Sequence, residues 1–132
     1  MTKRPGQALR EAWIAGVHKH YPGTPSPGYL APWEETPEWE RKCAAMVEYK
    51  VRLNVTTFRA EFGALTDEER GQYIANCWIT GVLQHLPNPK AGYLTPWEEL
   101  PAWQQNTDID IFHALEDLAL NQPDDEVPDY FP

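Results

Sequence analysis

The sequence is short of cysteine, of positive charge, of long apolar runs and of glycine-rich loops, and each shortage removes a class of protein. Its two cysteines, Cys43 and Cys77, have no nearby Cys or His at the spacing a zinc site needs, so two reduced core thiols are expected. Eleven Lys and Arg stand against twenty Asp and Glu, a formal charge of −9. Phosphate backbones are bound by cationic side chains that release counterions, so direct nucleic-acid binding is not expected, and an anionic membrane surface would repel the chain. No apolar run approaches the roughly 18 residues that span a bilayer. The basic start, Met1 to Gly6, leads into no apolar segment of signal-peptide type, and a cytoplasmic protein is expected. There is no nucleophile elbow, no glycine loop to cradle phosphate and no Cys/His constellation, so neither an enzyme nor a cofactor or metal site is expected. The acidic run Asp108-Ile109-Asp110 lacks the glycine and spaced ligands of a calcium loop and reads as a solvated helix face.

What the chain does have is proline and aromatic rings: thirteen Pro, six Trp, six Tyr and four Phe in 132 residues. That many rings argue against disorder, and that many prolines must sit at element boundaries, so compact helices with proline corners are expected. The motif Gly28-Tyr29-Leu30-Ala31-Pro32-Trp33-Glu34-Glu35-Thr36-Pro37 recurs as Gly92-Tyr93-Leu94-Thr95-Pro96-Trp97-Glu98-Glu99-Leu100-Pro101. Such self-similarity governs the reading of everything else. All six tryptophans obey it, pairing Trp13 with Trp78, Trp33 with Trp97 and Trp39 with Trp103.

Taken in order, Leu9, Ala12, Trp13, Gly16 and Val17 form one stripe of a helix from Gln7 to about His20, stopped by Pro22. A proline-stiffened loop follows. Thr36 as N-cap and Pro37 at the first helical position predict a second helix, with its stripe on Trp39, Cys43, Val47 and Val51. It is expected to run on to Phe62, or else to break near Asn54. Thr66 and Glu69 form a capping box that opens a third helix, whose Trp78, Gly81 and Val82 repeat the first stripe 65 residues on. A one-residue-shorter loop drops the offset to 64 before a fourth helix from Pro101, carrying Trp103, Thr107, Ile111 and Leu115. The expected fold is all-α: four main helices in two helix-loop-helix repeats, about 7–62 and 66–121, related by a pseudo-twofold axis within one domain, 1–122. Residues 123–132 read as an acidic flexible tail.

The run from Trp13 and Gly16 through a proline loop to Leu30-Ala31-Pro32-Trp33-Glu34-Glu35-Thr36-Pro37-Glu38 resembles the ryanodine-receptor-type repeat. In that family a helix with a central Trp leads to a Leu-Val-Pro-Tyr-like segment and a Leu-Pro-Glu helix start. The second copy, Leu94-Thr95-Pro96-Trp97-Glu98-Glu99-Leu100-Pro101, is the closer match. The resemblance covers residues 8–50 and 73–118 and is greatest to the compact forms of actinobacteria and their phages. Where the family has a Gly-Trp-x-Tyr-Gly segment, this chain has Gly16-Val17-His18-Lys19-His20 and Gly81-Val82-Leu83-Gln84-His85. The resemblance implies a small helical module without catalytic chemistry that binds a nucleotide-like small molecule. For a phage protein it also implies the bacterial host's cytoplasm.

Two readings attach to each candidate site residue. Trp33 and Trp97 precede helix starts and either fold back over them as staples or join Tyr29 and Tyr93 as aromatic walls of a ligand groove. His20 and His85 end equivalent helices and either cap carbonyls or pack on the following proline, or else take a paired acid/base or metal role with Glu34, Glu35, Glu98 and Glu99. The groove reading makes the chain a binding module for a nucleotide-like ligand or a segment of a host protein. The alternative is a protein-interaction or inhibitor factor acting through its acidic surface and tail. A virion or self-associating component is a third reading, and composition alone does not fix the oligomeric state.

Overall fold

The amphipathic stripe of the first helix closes into α1 (Gln7–His20), buried along Leu9, Arg10, Gly16 and Val17. The computed structural model describes residues 2–131, so Met1 of the basic start and Pro132 of the tail lie outside the described residues. After α1 come α2 (Glu38–Thr57), the short α3 (Arg59–Gly63), α4 (Asp67–His85) and α5 (Ala102–Asn121). Short 3₁₀ turns link them at Pro27–Leu30, Trp33–Glu35, Ala91–Leu94, Trp97–Glu99 and Asp124–Glu126. The described residues contain no strand, and none of the helices is long and apolar enough to cross a membrane.

Local signals account for most helix ends. Thr66 accepts from the Glu69 N–H at 3.1 Å while the Glu69 carboxylate accepts from the Thr66 N–H at 2.9 Å, so the capping box opens α4. At α2 the expected N-cap is different. The Thr36 hydroxyl donates to the Trp33 carbonyl at 2.7 Å, closing the 3₁₀ turn, and Pro37 supplies the half-helical flank instead. Proline fixes φ near the helical value, so its carbonyl accepts from both Glu40 and Arg41 without help from a side chain. The second helix also stops short of Phe62. It ends at Phe58 (φ −119°, ψ 54°), four residues past Asn54, because Asn54 stays helical and donates to the Tyr73 hydroxyl at 2.7 Å.

The beginning of α1 is capped from across the fold. Glu48 of α2 is fully buried and accepts the backbone N–H groups of Gly6 at 3.2 Å and Leu9 at 3.3 Å, where the helix dipole favours an anion. Gly6 has φ 90° and a Cβ there would stand 2.6 Å from the Ala45 nitrogen, so both conformation and space demand glycine. The acidic tail does not hang free. Tyr130 donates to the same Glu48 carboxylate, Pro128 is buried, and the Tyr130 and Phe131 rings lie 5.6 and 5.0 Å from Tyr49.

Helix α1 packs chiefly on α5, while α4 packs on both α5 and α2. Gly16 meets Thr107 and Gly81 meets Cys43 at these crossings. The core gathers where the four long helices meet, with Val47, Val51, Phe112 and Leu115 fully enclosed. Burying each such side chain contributes roughly 1.5–3 kcal/mol before entropy is counted. Burial raises the Cys43 thiol to about 11, which keeps it an unreactive packing group.

Candidate functional site

Aromatic side chains placed by both halves of the sequence converge on one cavity of about 470 Å³. Trp13 comes from α1, Trp39 from the first turn of α2, Trp78 from α4 and Trp103 from the first turn of α5, with Tyr29 and Tyr93 contributed by the two loops. Tyr29 stands tilted against Trp103 at 5.7 Å, and Tyr93 against Trp39 at 5.6 Å. Each loop tyrosine therefore faces a tryptophan of the other half. Trp13 meets both Tyr29 and Trp103 edge-on, at 6.0 and 5.7 Å. Tyr29 and Tyr93 are 37% and 43% exposed and form the mouth, whereas Trp33, also lining the cavity, is buried.

The first loop is held in place by donors on α1. Arg10 is buried and its guanidinium donates to the carbonyl of Ala31 at 2.8 and 3.0 Å and to that of Gly28 at 3.1 Å. The Trp13 indole donates to the Tyr29 carbonyl at 3.0 Å. These bonds replace the backbone pairing an irregular loop lacks, and so fix where Tyr29 stands. Among the described residues the second loop has no such clamp, and Ala75 occupies the place equivalent to Arg10, 65 residues on.

Four charged residues line the cavity: Arg10, Glu40, Lys90 and Asp108. Asp108 on α5 is 6% exposed and makes no hydrogen bond or ion pair within the described residues. Loss of water lifts its carboxyl from the usual carboxylate range to about 8. Glu40 is also raised by burial, with the Arg10 charge pulling the other way. The indole N–H of Trp33 is buried without an acceptor among the described residues. The cavity is concave, walled by rings and lined by a few polar groups. Among the described residues that line it, none is a nucleophile hydrogen-bonded to a base.

The expected site residues divide between this cavity and elsewhere. Tyr29, Trp33 and Tyr93 line it. Trp97 does not: it is buried against Gly71 of the preceding helix, where a Cβ would stand 2.4 Å from its ring. His20 joins α1 to α5 through Asp110 at 2.7 Å, and His85 ends α4; neither reaches the cavity. The solvated face expected at Asp108–Asp110 is corrected at Asp108, which is buried and lines the cavity, while Asp110, still partly exposed, pairs with His20 of α1. Sequence reasoning passed over Trp39, Trp103, Asp108 and Glu40 as site residues. The signal for the tryptophans was their obedience to the duplication. Comparison with family models, with curated proteins and with solved structures found no match for this chain.

Proposed function

We propose that the chain is a non-catalytic binding module, two helix-loop-helix repeats about a pseudo-twofold axis, that takes a small ring-bearing organic ligand in the cavity between them. The observation that carries this reading is the paired construction of the walls, Tyr29 on Trp103 and Tyr93 on Trp39, at nearly equal spacings of 5.7 and 5.6 Å. Further support comes from the helix crossings: Gly16 against Thr107 is matched by Gly81 against Cys43, which are the equivalent positions of the two repeats. Likewise Gly23 and Asn88, equivalent loop residues, both have positive φ, 90° and 51°. The likeness of the two Pro-Trp-Glu-Glu segments to the ryanodine-receptor-type repeat of actinobacteria and their phages points the same way, to a small-ligand binding module. A volume of about 470 Å³ suits a small molecule better than a segment of a host protein.

The test is a titration panel of nucleotides, cyclic nucleotides, uncharged nucleosides and organic cations, read by tryptophan fluorescence and melting temperature. A ligand of the folded state raises stability by mass action, about 2.7 kcal/mol at a hundredfold excess over Kd. If no member moves either signal, the ligand reading is wrong.

A second reading, a protein-interaction factor, draws on Phe131, which is 74% exposed beside the acids Asp124, Asp125, Glu126 and Asp129. Truncation after Gln122 that leaves capture of a basic partner intact would exclude it.

A further inference from the structure

We infer that the cavity selects an organic monocation, held between tryptophan faces with the Asp108 carboxylate as its counter-charge. This rests on the cavity being a ligand site and says which chemistry it takes.

The first step is that the fold has no use for an acid at this position. Asp108 lies one residue past Thr107 on the edge of the buried stripe of α5, and 64 residues earlier the equivalent place on α2 holds Ala44, also buried. A methyl group therefore suffices where packing alone decides. Burying a carboxyl without a partner costs free energy, and a protein retains such a group against that cost chiefly where something outside the fold completes it.

The second step is that no cation of the chain completes it. Arg10 commits its guanidinium to the carbonyls of Gly28 and Ala31 and faces Glu40. Lys90 is exposed, in the loop that carries Tyr93. Asp108 forms an ion pair with neither. The cavity lining thus has one acid in excess of its enclosed cations.

The third step concerns the walls. The negative faces of indole and phenol rings attract cations, by about 2 kcal/mol or more where water is excluded, and rings grouped around a carboxylate favour a diffuse organic cation over a hydrated metal ion. An anion entering the same space would gain nothing from Asp108, which would stay protonated, and would meet Glu40 at low dielectric. A neutral ligand would leave Asp108 to take up a proton.

Binding must then displace that proton. The titratable or charged groups facing Asp108 across the cavity are Arg10 from α1, Glu40 from α2, and Lys90 and the two tyrosines from the loops, with no histidine among them. Below pH 8 the free site holds Asp108 largely protonated, so cation affinity rises by up to about tenfold per pH unit between pH 6 and 8 and levels off above.

The experiment titrates the intact protein with tetramethylammonium, choline and benzyltrimethylammonium by calorimetry and tryptophan fluorescence at pH 6.0 and 8.5. Run beside them are 3,3-dimethyl-1-butanol, in which carbon replaces the choline nitrogen, and adenosine monophosphate as the anion. At least one cation binds, choline at least tenfold more tightly than its neutral isostere, with proton release at pH 6.0. Asp108→Asn, close to isosteric and checked for its helical spectrum and melting temperature, weakens cation binding at least tenfold at pH 8.5 and abolishes the pH dependence. Asp108→Ala, the residue found at the equivalent place, gives the same result should the amide disturb the fold. Equal binding of choline and its isostere, or an unchanged affinity in Asp108→Asn, overturns the inference. Binding of the nucleotide alone overturns it while leaving the cavity a ligand site. Silence from every compound, in this set and in the wider panel, removes both.

Discussion

Gly16 of α1 lies directly against Thr107 of α5: a Cβ at the glycine would stand 2.5 Å from Cγ2 and 3.0 Å from Oγ1. Thr107 has little room to give way, since it is fully buried and its hydroxyl donates to the Trp103 carbonyl at 2.7 Å. Gly16→Ala is therefore expected to destabilise the protein by about 1–3 kcal/mol despite the better helix propensity of alanine. Gly81→Ala, whose Cβ would meet Cys43 Sγ at 3.1 Å, should cost clearly less. Chemical denaturation of both variants checks the order, and Thr107→Ala in the Gly16→Ala background should recover part of the loss.

Asp108 also sets a pH dependence of stability. Its folded pKa, about 8, lies above the ordinary value of 3.8, so the folded state binds the extra proton. The stability linked to it is fully present below pH 4 and drains away as pH rises toward 8. Asp108→Asn should accordingly melt close to the parent at pH 4 and above it at pH 8.5, by several kcal/mol at the upper bound. Thermal melts of the pair across that range would count against a buried, unpaired acid if the two curves stayed parallel.

The Tyr130 hydroxyl and two backbone N–H groups share the Glu48 carboxylate, whose pKa burial raises while those three donors pull it back. Tyr130→Phe removes one donor and is expected to cost about 1–2 kcal/mol at neutral pH. The deficit should shrink as pH falls through the raised folded pKa of Glu48, because the lost bond is then no longer one to an anion. A deficit that does not change with pH would mean that Tyr130 acts through its ring contact with Tyr49 alone.

Arg10 clamps the first loop and has no counterpart on the second. Hydrogen exchange should therefore be slower over residues 28–31 than over residues 92–95. Arg10→Met should erase that difference and cost about 1.5–3 kcal/mol, the range for hydrogen bonds to a charged group. Equal exchange of the two loops in the parent protein would show that the arginine does not order its loop.

How much of this was legible in the chain depended on range. The capping box at Thr66 and Glu69, the span of α1 and the stripe Cys43, Val47, Val51 are settled within a few residues, and the sequence carries them openly. The meeting of Tyr29 with Trp103 is settled by how α1 crosses α5, which no periodicity within either helix encodes. Asp108 misled for a related reason: beside Asp110 it looks like half of a polar face, and only its alignment with buried Ala44 marks it as inward. The repeat in sequence aligns Asp108 with Ala44, and both side chains are buried. His20 and Asp110 show the limit of the same device, for the place equivalent to Asp110 is Met46, and their bond belongs to one half only.

The bond from Thr2 to the Asp125 carbonyl, at 3.2 Å, and the gathering of Gly6 and Tyr130 on Glu48 bring the two extremities of the described chain to one place. A circular permutant becomes feasible, with those ends joined by a short linker and new ends opened in the unclamped second loop, where Asn88 already bends the backbone. Such a rearrangement would keep four of the cavity's five tryptophans on intact α-helices and the turn that carries Trp33 whole, while severing the covalent link between α4 and the Tyr93 segment.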